Sequence, residues 1–208
     1  NFFNFTIEDP NLTRMNYINF ILRIINSLPE SNKLFKINDD LTYNPIDTFK
    51  IANKKYSFNF LLYFYEFITI NNFINFEKSN IFLEIGGGYG GFTEIVKKIC
   101  PKIKIIYIDI VPQLYIGEQY LKSIFSKNVA GYRETKKMKI INENSFSNYD
   151  ILIVPPWDIK KIKNNLIDNF YNSNSFQEMQ KNTVSGYCDE LGRIIKNKIV
   201  LLEQRGGN

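Results

Sequence analysis

Histidine is absent from all 208 residues. That removes the Ser-His-Asp triad, histidine metal sites and the commonest general base, so proton chemistry falls to carboxylates, tyrosine, lysine or water. Cysteine is nearly absent: Cys100 and Cys188 stand far apart and in no CxxC pairing. This excludes a zinc knuckle and a disulfide framework, and it points to a reducing, cytoplasmic setting. Long apolar runs are missing as well. The longest, Phe58 to Ile70, is broken by Asn59, Glu66 and Thr69, short of the roughly 18–20 apolar residues that span a bilayer. No signal-peptide pattern is visible, and the start at Asn1 without an initiator Met leaves a removed leader open.

What is abundant is Asn, Ile and Lys, with 27, 32 and 21 copies. AT-rich codons produce that skew without selection for function. The net charge of +5 therefore reads as scattered, solvated lysine, permitting a nucleic-acid partner without calling for one. The chain length suits one domain, or one domain with an appendage.

Residues 1–78 read as a helical N-terminal region, with Asp9 as N-cap and Pro10 at the first helical position. Ile18, Ile21, Leu22, Ile25 and Leu28 form one apolar stripe closed by Pro29. A second segment, from about Pro45 through Ile70, is aromatic almost all round and reads as a packed helical layer, or as a lid or substrate wall. Residues 79–208 change character: short β-branched runs alternate with amphipathic helices, the pattern of βαβ units and a mostly parallel, doubly wound α/β sheet. Strands are expected at Ile81–Ile85, Lys104–Ile110, Asp150–Val154, about Ile167–Tyr171 and Lys198–Leu202, with a helix from about Phe176 to Ile195. The polar stretch 126–149 reads as a long loop with at most a short strand at Met138–Ile141.

The informative stretch is Glu84-Ile85-Gly86-Gly87-Gly88-Tyr89-Gly90-Gly91, where five of six consecutive positions after Ile85 are glycine. Glycine lets backbone adopt φ > 0 and come within contact distance of a ligand. Gly86, Gly88 and Gly91 fit the GxGxxG dinucleotide fingerprint, whereas Glu84, Gly86, Gly88 and Gly90 fit the ExGxGxG loop of enzymes that use S-adenosylmethionine. The glycines alone do not choose between them. Glu84 favours the methyl donor, because a carboxylate at the carboxyl edge of the sheet opposes a pyrophosphate and suits an ammonium and a sulfonium. Asp109, 19 residues beyond Gly90 at the end of the second strand, is placed to accept both ribose hydroxyls of either cofactor.

With these residues in view, a resemblance becomes specific. The run from Phe82 to Phe92 containing EIGGGYGG, followed by Tyr107-Ile108-Asp109 and then Asn172-Ser173-Asn174-Ser175-Phe176-Gln177-Glu178-Met179, resembles the sugar O-methyltransferases, a bacterial branch of the class I methyltransferases. The likeness runs from about residue 80 to the end. It implies a Rossmann-like class I methyltransferase domain, S-adenosyl-L-methionine as donor and a sugar hydroxyl on a saccharide or nucleotide sugar as acceptor. Such domains continue past the fifth strand with a further helix and strand pair, so this sequence is expected to lack the last strands.

Methyl transfer to oxygen needs alignment, exclusion of water and a base for the hydroxyl proton. Glu178 and Glu203 lie after the fourth and fifth strands, and Glu178 is the expected base, although Ser175 and Glu178 also spell a capping box. Asp168, Tyr171 and a magnesium ion are further options for the acceptor chemistry, with no metal ligand set indicated. Gly87 belongs with the donor loop. Asn172 is expected to meet the methionine end of the donor or to act as a turn residue. Trp157 and Asp158 are expected to pack and hydrogen-bond the adenine, with Trp157 as a core residue the other reading. Arg205 suits a phosphate or carboxylate on the acceptor, or plain surface.

Three competing functions remain at this level. Val154-Pro155-Pro156-Trp157 is similar to the [DNS]PP[YF] motif of enzymes that methylate nucleic-acid base amines, with Val154 in place of the polar residue. An NAD(P)-dependent oxidoreductase would share the glycine loop, and a non-catalytic nucleoside-binding module would share loop and acid alike.

Overall fold

The computed structural model describes residues 10–27, 30–41, 43–51 and 53–202. The chain divides into two compact units, residues 1–69 and 70–208.

In the first unit, α1 (Pro10–Ser27) starts at the expected proline, whose fixed φ and missing N–H suit a first helical position. Ile18, Ile21 and Ile25 are buried, so the apolar stripe is its packed face. Asp9, Leu28 and Pro29 lie outside the described residues. The expected helix from Pro45 is corrected. Residues Thr48–Ile51 (β1) and Lys54–Ser57 (β2) form an antiparallel hairpin, turned at Asn53 with φ of +66°, and only then does α2 (Phe58–Asn71) begin. Side chains tie the hairpin down: the Tyr56 hydroxyl donates to the Leu34 carbonyl at 3.1 Å, and the Ser57 amide donates to Asp39 Oδ2 at 2.7 Å.

The second unit is a six-stranded parallel sheet. Its strands are β3 (Ile81–Ile85), β4 (Lys104–Ile108), β5 (Val129–Ala130), β6 (Ile151–Val154), β7 (Ile167–Ser173) and β8 (Ile195–Leu202). Their spatial order is β5-β6-β4-β3-β7-β8, and every pairing is parallel. The chain runs outward from β3 through β4 to the edge strand β5, steps back in to β6 between β5 and β4, and then crosses to the other side of β3 as β7. This Rossmann-like order puts the topological switch point between β3 and β7, the place where open α/β sheets bind ligands at their carboxyl edge.

Period-2 alternation sorts the strand residues onto two covered faces. Glu84, Tyr107 and Tyr171 are in register on one face, and Leu83, Ile106 and Phe170 on the other. Helix α3 (Gly91–Ile99) packs Phe92 on Phe82 and Tyr171. Helix α4 (Gln113–Phe125) brings Gly117 so close to Tyr107 that a Cβ there would stand 2.6 Å from its hydroxyl. The opposite face carries one apolar cluster that joins Leu83, Ile106, Leu152 and Phe170 to Tyr187 and Leu191. The sheet is therefore doubly wound.

Two expectations for this unit need correction. Residues 126–149 are not a plain loop, since they contain β5 and a short helix, α5 (Tyr132–Thr135), while Ile141 makes only an isolated bridge to Ile162. The helix expected from Phe176 to Ile195 is split. Phe176–Glu178 is a single 3-10 turn, and α6 (Lys181–Ile194) starts separately after Gln180.

Candidate functional site

The loop after β3 is built on left-handed backbone. Gly86, Gly88 and Gly90 have φ of +74°, +61° and +95°, and Gly90 is the N-cap of α3. Gly90 also approaches α4, since a Cβ there would lie 2.9 Å from Leu121. Gly86 lies against Ser175, which a Cβ would overlap. Gly88 is different: a Cβ there would meet nothing within 4 Å, so its face of the loop is open.

Asp109 lies beside this opening, as its spacing from Gly90 predicts. It is 8% exposed. Its Oδ2 accepts the Gly88 amide at 2.8 Å and the Tyr107 hydroxyl at 3.3 Å, and its Oδ1 accepts the Ile110 amide at 2.7 Å. Burial pushes this carboxyl above the usual aspartate range, opposed in part by those hydrogen bonds. Tyr107, whose hydroxyl also donates to the Gly88 carbonyl, fastens loop and acid together. Sequence reasoning missed it, although its place two residues before Asp109 on the same strand face was a signal.

Glu84 is 4% exposed, flanked in register by Tyr107 and Tyr171, and its Oε2 accepts the Thr93 hydroxyl. A Cβ on Gly87 would stand 2.7 Å from its carboxyl carbon. Glu84 is thus a charge tucked beneath the loop. A second carboxylate, Glu94 in the first turn of α3, is 1% exposed, accepts the Tyr120 hydroxyl at 2.5 Å and pairs with Lys98 at 2.7 Å.

Asn172 corrects its expected role. Its side chain is wholly buried. The Nδ2 group donates to the Ile85 carbonyl at 2.7 Å and to the Ser175 hydroxyl, while Oδ1 accepts the Phe176 amide at 3.3 Å. Both amide hydrogens are used, so Asn172 clamps the end of β3 to the loop after β7 instead of presenting its side chain to a ligand. The Ser175 hydroxyl is drawn into this clamp and makes no cap bond, so the capping box does not form. Glu178 is left exposed on the 3-10 turn: its amide donates to the Ser175 carbonyl at 3.1 Å, while its carboxylate has no hydrogen bond or ion pair among the described residues.

Past β6, Trp157 is 55% exposed and meets Tyr132 edge-on at 6.5 Å, which sets aside its reading as a core residue. Asp158 is 8% exposed and pairs with Lys161 at 2.9 Å. Val154 is fully buried, and β6 is separated from β3 by β4. The PPW segment therefore presents no polar group at its first position and stands away from the switch point. Asp168 is at the amino end of β7, accepting the Asn80 and Ile81 amides at 2.7 and 3.0 Å, far along the strand from the glycine loop. Glu203 and Arg205 lie outside the described residues. Among the described residues no group of three or more Cys, Asp or Glu converges as a metal site, and no helix is long and apolar enough to cross a membrane.

No family model matches the sequence, and no curated protein matches it either. Similar solved structures do exist. A SAM dependent methyltransferase from Aquifex aeolicus is 16% identical, covering 66% of this chain and 66% of its own, with a TM-score of 0.43. Geranyl diphosphate C-methyltransferase from Streptomyces coelicolor, in complex with Mg2+, geranyl diphosphate and S-adenosyl-L-homocysteine, is 10% identical over 67% of this chain and 46% of its own, with a TM-score of 0.44. The mitomycin 7-O-methyltransferase is 10% identical over 71% of this chain and 41% of its own, also with a TM-score of 0.44. The chain thus spans less than half the length of the last two.

Proposed function

We propose that this chain is an S-adenosylmethionine-dependent O-methyltransferase whose acceptor is a hydroxyl of a saccharide or nucleotide sugar. The observation that carries the donor half is the charge around the loop. Of the two carboxylates in residues 84–94, Glu94 at the start of α3 is compensated by Lys98 at 2.7 Å, whereas Glu84, buried beneath Gly87, accepts the Thr93 hydroxyl and is the charge that faces the loop. A dinucleotide would set its pyrophosphate at that helix start. Two like unit charges 6 Å apart repel by about 3 kcal/mol at an effective dielectric near 20. A sulfonium and an ammonium are attracted by the same amount, which favours the methyl donor over NAD(P).

The donor fits the residues present. The open face of Gly88 admits a ligand against backbone, Asp109 retains acceptor capacity for ribose hydroxyls, and Trp157 offers an exposed ring for the adenine. The bound donor supplies an electrophilic methyl group on sulfur. The chain's own part is to hold the acceptor oxygen in line with it, exclude water and take the hydroxyl proton. Glu178, exposed and unpaired just past β7, is the carboxylate suited to take that proton. The sugar acceptor is supported by the Asn172-to-Met179 resemblance.

Incubation with methyl-tritiated donor and a panel of free hexoses, nucleotide sugars and an oligonucleotide tests the reading. Label in a sugar is the expected result. Label only in an oligonucleotide would replace the acceptor class, and donor binding with no transfer to any acceptor would make the chain a nucleoside-binding module.

A further inference from the structure

A cleft of about 450 Å³ lies at the amino edge of the sheet, lined by Asn75, Lys78, Ser79 and Asn169 and by the first part of β8 from Lys196 to Lys198. Lys78 and Ser79 come just before β3, whereas the glycine loop follows it, so the length of that strand separates the two places. No carboxylate lines the cleft. Asp168, next to Asn169 on β7, is already engaged: it accepts the Asn80 and Ile81 amides at 2.7 and 3.0 Å and pairs with Lys196 at 3.2 Å.

The strand register explains why three consecutive residues of β8 reach one cleft. In a regular strand, residue 197 would point away from residues 196 and 198. Between the pairs Ile167–Ile195 and Asn169–Lys198, however, β7 advances by two residues and β8 by three, which is a bulge. A bulge breaks the alternation and re-aims side chains, and such features are over-represented beside functional sites.

The cleft also has donors to spare. Neither the Lys78 ammonium nor the Asn197 side chain makes a hydrogen bond or ion pair among the described residues. Lys198 uses one of its three ammonium protons on the Phe73 carbonyl at 2.6 Å. Asn169, 6% exposed, donates one amide hydrogen to the Ser79 hydroxyl and keeps the other. Ammonium and amide donors that converge without a lining carboxylate suit phosphate oxygens, and the volume is in the range of small-molecule sites.

We propose that this cleft is a second ligand site that takes a small phosphate-bearing molecule, with Lys78, Lys196 and Lys198 on the phosphate oxygens and Asn169 and Asn197 as further donors. It is separate from the methyl-donor edge and does not depend on it.

Calorimetric titration of the whole chain with pyrophosphate at fixed ionic strength tests this, with a short oligonucleotide run alongside. The variants are Lys78→Gln, which removes an exposed and unpaired charge, Lys198→Gln, Gly88→Val in the glycine loop, and Lys127→Gln. Lys127 is an exposed lysine just before β5, at the far side of the sheet. Melting temperatures are recorded for each. The expected result is one pyrophosphate per chain, bound about tenfold more weakly by Lys78→Gln and by Lys198→Gln and equally well by Lys127→Gln and Gly88→Val. Absence of saturable binding overturns the proposal, as does an equal loss in Lys127→Gln, which would mean diffuse attraction to a basic surface. A loss in Gly88→Val alone would put the phosphate at the glycine loop and also overturn it. Binding of the oligonucleotide without pyrophosphate would overturn the small-molecule assignment.

Discussion

At Gly88 the backbone holds φ at +61° and an added Cβ would meet nothing within 4 Å. Valine there brings about 1–2 kcal/mol of left-handed strain and places two methyl groups on the face a ligand approaches. Gly88→Val is expected to give a folded protein with a lowered melting temperature and no calorimetric binding of S-adenosylhomocysteine; undiminished affinity would move the ligand elsewhere. Asp109 makes a pH prediction. Ribose hydroxyls donate to the ionised carboxylate, and burial raises its pKa, so donor affinity falls on acidification at a pH above the ordinary aspartate range. Asp109→Asn should bind weakly with that pH dependence gone. The unliganded fold responds in the opposite sense, because a raised folded pKa contributes stability that is lost as pH rises through it. Glu178→Gln is expected to lower turnover by about 10²- to 10⁴-fold with donor affinity nearly unchanged, and near-normal turnover would exclude Glu178 as the base.

Between β3 and β7 the site depends on one clamp. Asn172→Ala removes the partners of the Ile85 carbonyl and the Phe176 amide, at a cost on the order of 3 kcal/mol. The expected outcome is a clear drop in melting temperature with donor binding weakened because the glycine loop loses its neighbour. Several elements were legible in sequence because short β-branched strands and amphipathic helices differ in period: β3, β4, β6 and β7 appear within a few residues of expectation. Others carried no such signal. The hairpin at residues 48–57 turns on Asn53, without a glycine or proline to mark it, so its sequence reads as helix. β5 has only two residues, buried by pairing with Ile151 and Leu152, too few for any periodicity. The split before α6 accompanies the engagement of the Ser175 hydroxyl by Asn172, whose side chain is held in place by the Ile85 carbonyl 87 residues away, a partner that a local Ser-x-x-Glu pattern does not reveal. Within the candidate site, the closeness of Asp109 to the glycine loop was legible from spacing, whereas Tyr107 and Thr93 depend on which strand or helix faces them.

For the molecule as a whole, the strand order explains why these residues meet. Only a sheet that leaves β3 on one side and returns on the other brings Gly88, Asp109 and the Asn172 loop to one edge, and the proposed preference of that edge for the methyl donor rests on the buried carboxylate of Glu84 beneath it. The central claim is that preference, and it is tested most directly by isothermal titration of the purified protein with S-adenosylhomocysteine, with NADH and NADPH run in parallel. Micromolar or tighter binding of S-adenosylhomocysteine with none of either nicotinamide cofactor is the predicted result. Binding of NADH or NADPH alone would contradict it.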